Sequence, residues 1–489
     1  MKIWFLLFGI SLSFSGFGQN QLDAIRYSNL HYGGSARYNS MGGAFGALGG
    51  DLSSASINPA GIGVYRSSEF SISTAMVSNS TNTNHYGNNA ADFRLNLNFN
   101  GIGYLTSIDI SKGVTGWQKI NFAVGYNKIA NFNNRYSILG VNNNNSAIDQ
   151  WVNNLNENGG ADASTINDNS QYYQGTNLAW QNYLIDYDTN VTTSPYQSTL
   201  QSYGQTQALT LIEKGAIGEN FFAIGGNYGN KLYIGATLAT DKIKYSYETL
   251  YSETVSETDT SNNLQNFSLS ETISTQGRGY NAKIGVIFRP IDYVRLGAAI
   301  QTPTYFIMSD QWTTDMESTF KDTSFYYSDP EGRYDYILIT PYRATLSAGI
   351  QVGKTGLISA DYEIVDYKTA RLQSENGDYD FANENSAIIN NHITSGNLKI
   401  GTEWRIEQFK IRAGYSYFGK SSLTDLATNK AYSTYSVGLG FKQNGFFMDM
   451  AYNLSKKYGE LYLYDSASLE ATATANNIHR ITTSIGFQF

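Results

Sequence analysis

The chain has 489 residues, a net charge of −8, no cysteine, and 15% charged residues, against about 25% in an ordinary soluble domain. Zero cysteine excludes a disulfide framework and thiolate metal sites, and an acidic balance without a basic cluster excludes a nucleic-acid partner. Tyrosine (38), phenylalanine (25) and glycine (47) are abundant, proline is scarce (6) and mean hydropathy is −0.34, which suits strands apolar on one face and polar on the other.

The N-terminus opens on Lys2, an apolar stretch from Ile3 to Phe14, and the small residues of Gly16-Phe17-Gly18. This pattern is that of a secretory signal peptide, expected over 1–18 with cleavage before Gln19. The stretch is too short to span ~30 Å of hydrocarbon as a helix. Without cysteine there is no residue for a lipoprotein signal to acylate. No later run reaches ~18 apolar residues, so no transmembrane helix is encoded.

Residues 19–66 do not fit a strand repeat. Small residues dominate Ala36 to Leu48, then come Asp51 and the run Ser56-Ile57-Asn58-Pro59-Ala60-Gly61-Ile62. Such a backbone packs closely, and Pro59 ends any helix before it. We expect a compact plug, because a barrel of about 14 strands is too wide for its own side chains to fill. Pro59 fixes φ and Gly61 widens the allowed backbone, so a defined bend is expected at Asn58 to Gly61, acting as a hinge.

From residue 67 onward the pattern is alternation. Phe409, Ile411, Ala413, Tyr415 and Tyr417 are separated by Lys410, Arg412, Gly414 and Ser416. Tyr435, Val437, Leu439 and Phe441 alternate with Ser436, Gly438, Gly440 and Lys442. Period-two patterning over ~10 residues predicts tilted membrane strands with one apolar face. Strands are expected near 69–78, 93–108, 118–129, 221–228, 231–248, 271–288, 293–301, 342–351, 356–370, 394–404, 409–417, 432–441, 446–454 and 478–489. Their number is even, as a bacterial single-chain barrel requires.

The joins alternate in length. Short ones fall at 109–117, 229–230, 289–292, 353–355, 405–408 and 443–445. Long polar ones fall at 79–92, 130–220, 249–270, 302–341, 371–393, 418–431 and 455–477. Short periplasmic turns and long outer loops are the habit of outer-membrane barrels. The insert 130–220, with Asn142 to Asn145, exceeds an ordinary loop and is expected to be a lid or partly disordered, with a short helix at Ile148–Leu155. Asp361, Glu363, Lys399, Glu403, Lys410, Arg412, Asp449 and Arg480 fall on the lumen face. Both signs occur on neighbouring strands, so a paired ladder that stiffens the wall and anchors the plug is favoured over ligand contact. The last strand sets Ile481, Thr483, Ile485, Phe487 and Phe489 on one face.

The segment ARYNSMGGAFGALGGDLSSASINPAGI (36–62) resembles the plug signature of the FadL family of outer-membrane long-chain fatty-acid transporters. The likeness continues through IGVIFRPIDYVRLGAAIQTPTYF (284–306), LISADYEIVDYK (357–368), LKIGTEWRI (398–406), KIRAGYSYFGKSSLTD (410–425) and HRITTSIGFQF (479–489). The resemblance implies an all-β, 14-stranded antiparallel barrel in the outer membrane, with plug and gate residues at Met41, Gly42, Gly43, Asn58, Pro59, Ala60 and Gly61. It implies passive uptake of a hydrophobic small molecule and contact with outer-membrane lipid. The strand ending on Phe489 resembles the signal read by the barrel-assembly machinery. The insert 130–220 departs from the family pattern.

Other motifs are rejected. Gly414 to Ser421 fits the P-loop spacing, but it begins on an amphipathic strand and runs into a polar outer loop, where no helix N-terminus can face phosphates. His31, His85, His392 and His479 show no metal-ligand spacing. His479 and Ser484 lie an odd number apart, on opposite faces of one strand, which argues against nucleophilic catalysis. No enzyme activity and no cofactor are expected. The alternative to a channel is an interaction barrel of a secretion system, like the FadL-like PorV type, whose long outer loops would serve it equally well.

Overall fold

The computed structural model describes residues 21–113, 115–157, 166, 174–191, 194–423, 430–464 and 470–489. The expected signal peptide and Gln19 lie outside the described residues. The wall consists of β1 (Glu69–His85), β2 (Asn88–Asp109), β3 (Trp117–Asn131), β4 (Gln205–Tyr228), β5 (Leu232–Thr254), β6 (Leu264–Ile291) and β7 (Val294–Gln301). It continues with β8 (Arg343–Val352), β9 (Gly356–Asp366), β10 (Thr394–Ile406), β11 (Phe409–Phe418), β12 (Tyr432–Gln443), β13 (Phe446–Leu461) and β14 (Thr472–Gln488). Each pairs antiparallel with its sequence neighbours, and β14 returns to β1 with Ile485 opposite Ile72 and Phe487 opposite Phe70. The result is a closed 14-stranded barrel. Closure matters because hydrocarbon offers no partner to an unpaired backbone group.

Alternation explains which way each residue faces. Along β10, Leu398, Ile400 and Trp404 are exposed outward while Asn397, Lys399 and Glu403 are buried inward. Leucines as bare as Leu439 (64%) and Leu346 (61%) recur around the outside, forming the apolar band that lipid would cover. Trp117, Tyr228, Tyr293, Phe409 and Phe489 are exposed at the end that carries the short turns, an aromatic girdle. Ser68 and Phe489 exchange backbone hydrogen bonds of 3.0 and 3.1 Å there, so both ends of the wall meet on that side. The tight turns place Asn230, Glu407 and Asn444 at positive φ (55°, 53° and 49°).

Several expected loops are corrected by the structure. β1 and β2 run on to a turn at Tyr86-Gly87, with His85 opposite Asn88, so 79–92 is mostly strand. β4 begins at Gln205 rather than near 221, and the span 302–341 holds strands Tyr305–Phe320, Ser324–Ser328 and Gly332–Ile339. The expected strand 356–370 ends at Asp366 and passes into a 3-10 turn, Tyr367–Thr369. Beyond the bilayer the outward face no longer needs apolar residues, so alternation fades while pairing persists. The insert forms a cap: a strand Asn134–Asn142, helices Ala147–Glu157 and Gln174–Gln181, and a small hairpin, Ile185–Tyr187 with Tyr196–Ser198. Its Trp151, Leu155 and Leu178 bury against Tyr251 and Phe267 of the wall, Met316 of the 302–341 connection and Leu463 of the last outer connection.

Candidate functional site

The N-terminal segment is enclosed by the barrel. It holds helix Gln21–Ser28, the single turn Ala36–Ser40, a turn at Ser54–Ile57 and the 3-10 stretch Pro59–Val64. Ser35 caps the second, its hydroxyl accepting from the Tyr38 amide at 3.0 Å. Pro59 opens the 3-10 stretch, where its missing N–H costs nothing, and Asn58 caps it by accepting from the Ala60 amide at 3.1 Å.

The sequence-predicted residues fall into two sets. Asn58, Pro59, Ala60 and Gly61 are buried against β4 to β6. Asn58 Nδ2 donates to the Gly46 carbonyl at 2.6 Å and the Val286 carbonyl at 3.2 Å. A Cβ on Gly285 would collide with the Asn58 side chain, so that strand position needs glycine for the close approach. Met41, Gly42 and Gly43 lie some distance along the chain, against β10 and β11, where the Ser416 hydroxyl donates to the Gly42 carbonyl at 2.7 Å. Gly42 and Gly43 both take left-handed φ, 62° and 78°.

The lumen charges form the expected ladder in large part. Asp361 accepts from the Phe45 and Gly46 amides at 2.9 and 2.8 Å, fixing the segment to β9. Arg37 of the segment reaches Glu403 at 2.9 Å, and Arg412 joins Glu403 (2.6 Å) to Asp449 (2.7 Å). Glu363 joins Arg343 (2.9 Å) and Lys399 (3.4 Å). Lys410 and Arg480 depart from this pattern: among the described residues neither has a carboxylate within ion-pair distance.

Arg480 instead lines a cavity of about 110 Å³ between the segment and β10 to β14. Lys399 and Lys457 also face it, as do Tyr32, Tyr38, Phe418 and Tyr432, and no carboxylate is among its lining. The Lys457 ammonium sits 4.3 Å from the centre of the Tyr432 ring, which stacks on Phe418 at 4.7 Å. The Tyr432 hydroxyl bonds the His31 ring at 2.9 Å. Burial, reinforced by Lys457 and Arg480, holds His31 well below its ordinary pKa of 6.5, so at neutral pH it is uncharged. Alternation alone puts Lys399 and Arg480 on the lumen face, but it does not bring His31, Tyr432 and Lys457 to them. Lys457 lies beyond the alternating stretch 446–454 of β13, and nothing local signals its role.

Beside the cavity the wall has a seam. β2 and β3 pair only from Gly101 opposite Asn127 to Asp109 opposite Lys119. Outward of that, residues 88–99 of β2 pair with β1 alone. The chain after β3 turns inward at Phe132, which packs on Tyr27 and Tyr245, and Asn134–Asn142 then lies against the lumen side of the β1–β2 hairpin. The N-terminal segment partly covers the seam: the His31 and Gly33 amides donate to the Ile129 and Lys128 carbonyls at 2.8 and 2.7 Å. Lys128 crosses it to Asn98 at 2.8 Å.

The rejected motifs stay apart. Gly414 packs against Gly42 within β11. Ser484 is buried, receiving the Ala36 amide at 2.7 Å, while His479 bonds Tyr452 on the exposed side at 2.7 Å. Among the described residues no group of His, Asp and Glu is arranged to hold a metal ion.

No protein-family model matches the chain, and no curated protein does. Solved structures match it along nearly its whole length. The toluene transporter TodX of P. putida superposes with a TM-score of 0.54 at 13% identity, covering 94% of this chain and 98% of its own. A Pseudomonas aeruginosa FadL homologue gives 0.56 at 11% identity, with 94% and 99% covered. The chain therefore has the FadL-type fold, the closed barrel it shares with these structures.

Proposed function

We propose that this protein is an outer-membrane channel for passive uptake of a small hydrophobic compound, gated by its N-terminal plug, residues 19–66. The observation that supports it most is the cavity beside the β2–β3 seam, lined by aromatic rings with cations set among them and bounded by the plug. A ligand with an apolar body and an anionic head, such as a long-chain fatty acid, suits that pairing. Its chain would lie on Tyr32, Phe418 and Tyr432, and its carboxylate would supply the counter-charge that Arg480 and Lys457 lack. The seam, bordered outside by Phe93, Leu95 and Leu97, gives an apolar exit toward lipid. In this reading Asn58 to Gly61, expected from the sequence to be a hinge, instead anchors the plug to the wall, and Tyr38 to Gly43 face the cavity. Toluene and monoaromatic hydrocarbons, the compounds named for structures of this fold, would need no such cations.

The test is mass spectrometry of compounds that copurify with the detergent-extracted protein, alongside uptake by cells with and without it. Arg480→Gln with Lys457→Gln should reduce retention of carboxylate amphiphiles and spare neutral hydrocarbons. Purified protein that carries no hydrophobic compound, with uptake unchanged on deletion, would refute the reading and favour a secretion-partner role.

A further inference from the structure

The lumen carboxylates near the cavity are engaged elsewhere. Glu403 and Asp449 hold Arg37 and Arg412, Glu363 is shared by Arg343 and Lys399, and Asp361 accepts from the Phe45 and Gly46 amides. Glu213, the carboxylate whose field reaches Lys457, accepts from the Tyr245 hydroxyl at 2.8 Å and lies 3.8 Å from Arg26. Lys457 and Arg480 are left over. Among the described residues neither has a carboxylate within ion-pair distance, and neither side chain makes a hydrogen bond. Both line the cavity, and their charges repel each other across it.

Like charges facing each other away from bulk water destabilise one another, and an anion between them removes the repulsion. A carboxylate brings a single negative charge and leaves one of the two cations uncompensated. A phosphate monoester brings about −1.5 to −2 at neutral pH and three acceptor oxygens. The planar guanidinium fork of Arg480 suits two of those oxygens, and the compact ammonium of Lys457 suits the third. The neighbouring trio adds to the pull, because Glu363 cannot cancel both Arg343 and Lys399. Around the cations the lining turns apolar, with Leu30, Tyr32, Phe418, Tyr432 and Ile478, which free phosphate would not use.

We infer that the cavity takes an amphiphile whose head is a phosphate monoester, held between Arg480 and Lys457 with its chain against Phe418 and Tyr432. This rests on the channel reading above and narrows its ligand class from anionic heads in general to doubly charged ones. It asks no movement of the N-terminal segment, since the cations and the rings already face the same space.

Calorimetric titration of the full-length protein in a neutral detergent tests it, with dodecyl phosphate, dodecyl methyl phosphate, laurate and dodecanol as probes. Dodecyl phosphate should bind about tenfold or more tightly than laurate, the effect of one further hydrogen bond between charged groups. Methylation removes one charge and keeps the chain, so dodecyl methyl phosphate should lose that advantage. Arg480→Gln and Lys457→Gln, each alone, should bring dodecyl phosphate down to the level of laurate, whereas Arg480→Lys keeps the charge and should keep the greater part of the preference. Heat-modifiable gel mobility reports the barrel, and Lys457→Gln carries the comparison if Arg480→Gln fails to insert. Inorganic phosphate in excess should not displace dodecyl phosphate; displacement would assign the cations to the free ion and overturn the inference. Equal affinity for dodecyl phosphate and laurate, or a preference that survives both substitutions, overturns it while leaving the hydrophobic channel standing. A folded barrel that binds none of the four probes would remove the channel reading as well.

Discussion

Asn58→Ala is the most direct probe of how the N-terminal segment is seated. Asn58 is 1% exposed, donates to the carbonyls of Gly46 and Val286, and accepts from the Ala60 amide. Alanine removes all three bonds and orphans buried groups on two sides of the residue. At about 1–3 kcal/mol for each group left unsatisfied, and with the 3.2 Å bond weak, the loss is about 3 kcal/mol. Local opening of residues 44–64 should then rise about 100-fold. Hydrogen exchange read by peptide mass spectrometry measures it: amides of 44–64 should speed up while those of β10 to β14 hold. Asn58→Asp sharpens the test, because it keeps the acceptor for Ala60 and turns the donor into a second acceptor facing two carbonyls. It should therefore fall near alanine rather than near wild type. Unchanged exchange in 44–64, or an equal rise throughout the barrel, would refute the idea that Asn58 pins this segment.

Three further outcomes are expected. In topology, Asn376→Cys should react with an impermeant maleimide on whole cells, and Lys354→Cys only once the outer membrane is broken; equal or reversed labelling contradicts the assignment of turns and loops. In pH dependence, neutral His31 favours the seated segment, while released His31 takes a proton near 6.5. Seating is therefore complete above that pH and weakens by about 1.4 kcal/mol per unit below it, until the depressed folded pKa is reached. Proteolysis near residues 29–34 between pH 7.5 and 5 (about) should report this, and a slope unchanged in His31→Gln would assign it to another group. In processing, intact mass of the membrane-extracted protein should match a chain beginning at Gln19, and retention of Met1 would contradict cleavage.

Much of the wall was legible because its signal is local. Two phases, lipid outside and a polar lumen inside, impose period two on each strand, so Leu398, Ile400 and Trp404 face outward and Lys399 and Glu403 inward whatever their partners are. Strand number and the side of the short turns follow from counting such segments. The small-residue run 36–62 marked the segment that strand glycines receive, since close backbone approach needs glycine on both sides.

The tertiary structure alone decided where pairing stops and what meets across the lumen. β2 and β3 part after Gly101 and Asn127, although β2 continues to alternate, because the chain beyond Asn131 bends inward to pack Phe132. The cavity joins His31 to Tyr432 and aligns Arg480 with Lys457, residues from four separate elements of the chain. Sequence determines which face a strand residue takes, because that depends on its own neighbours and the solvent on each side. Whether a lumen cation finds a carboxylate depends on strand register and on a segment 400 residues away, as with His31 and Tyr432 (|i−j| = 401), and only closure of the barrel fixes both.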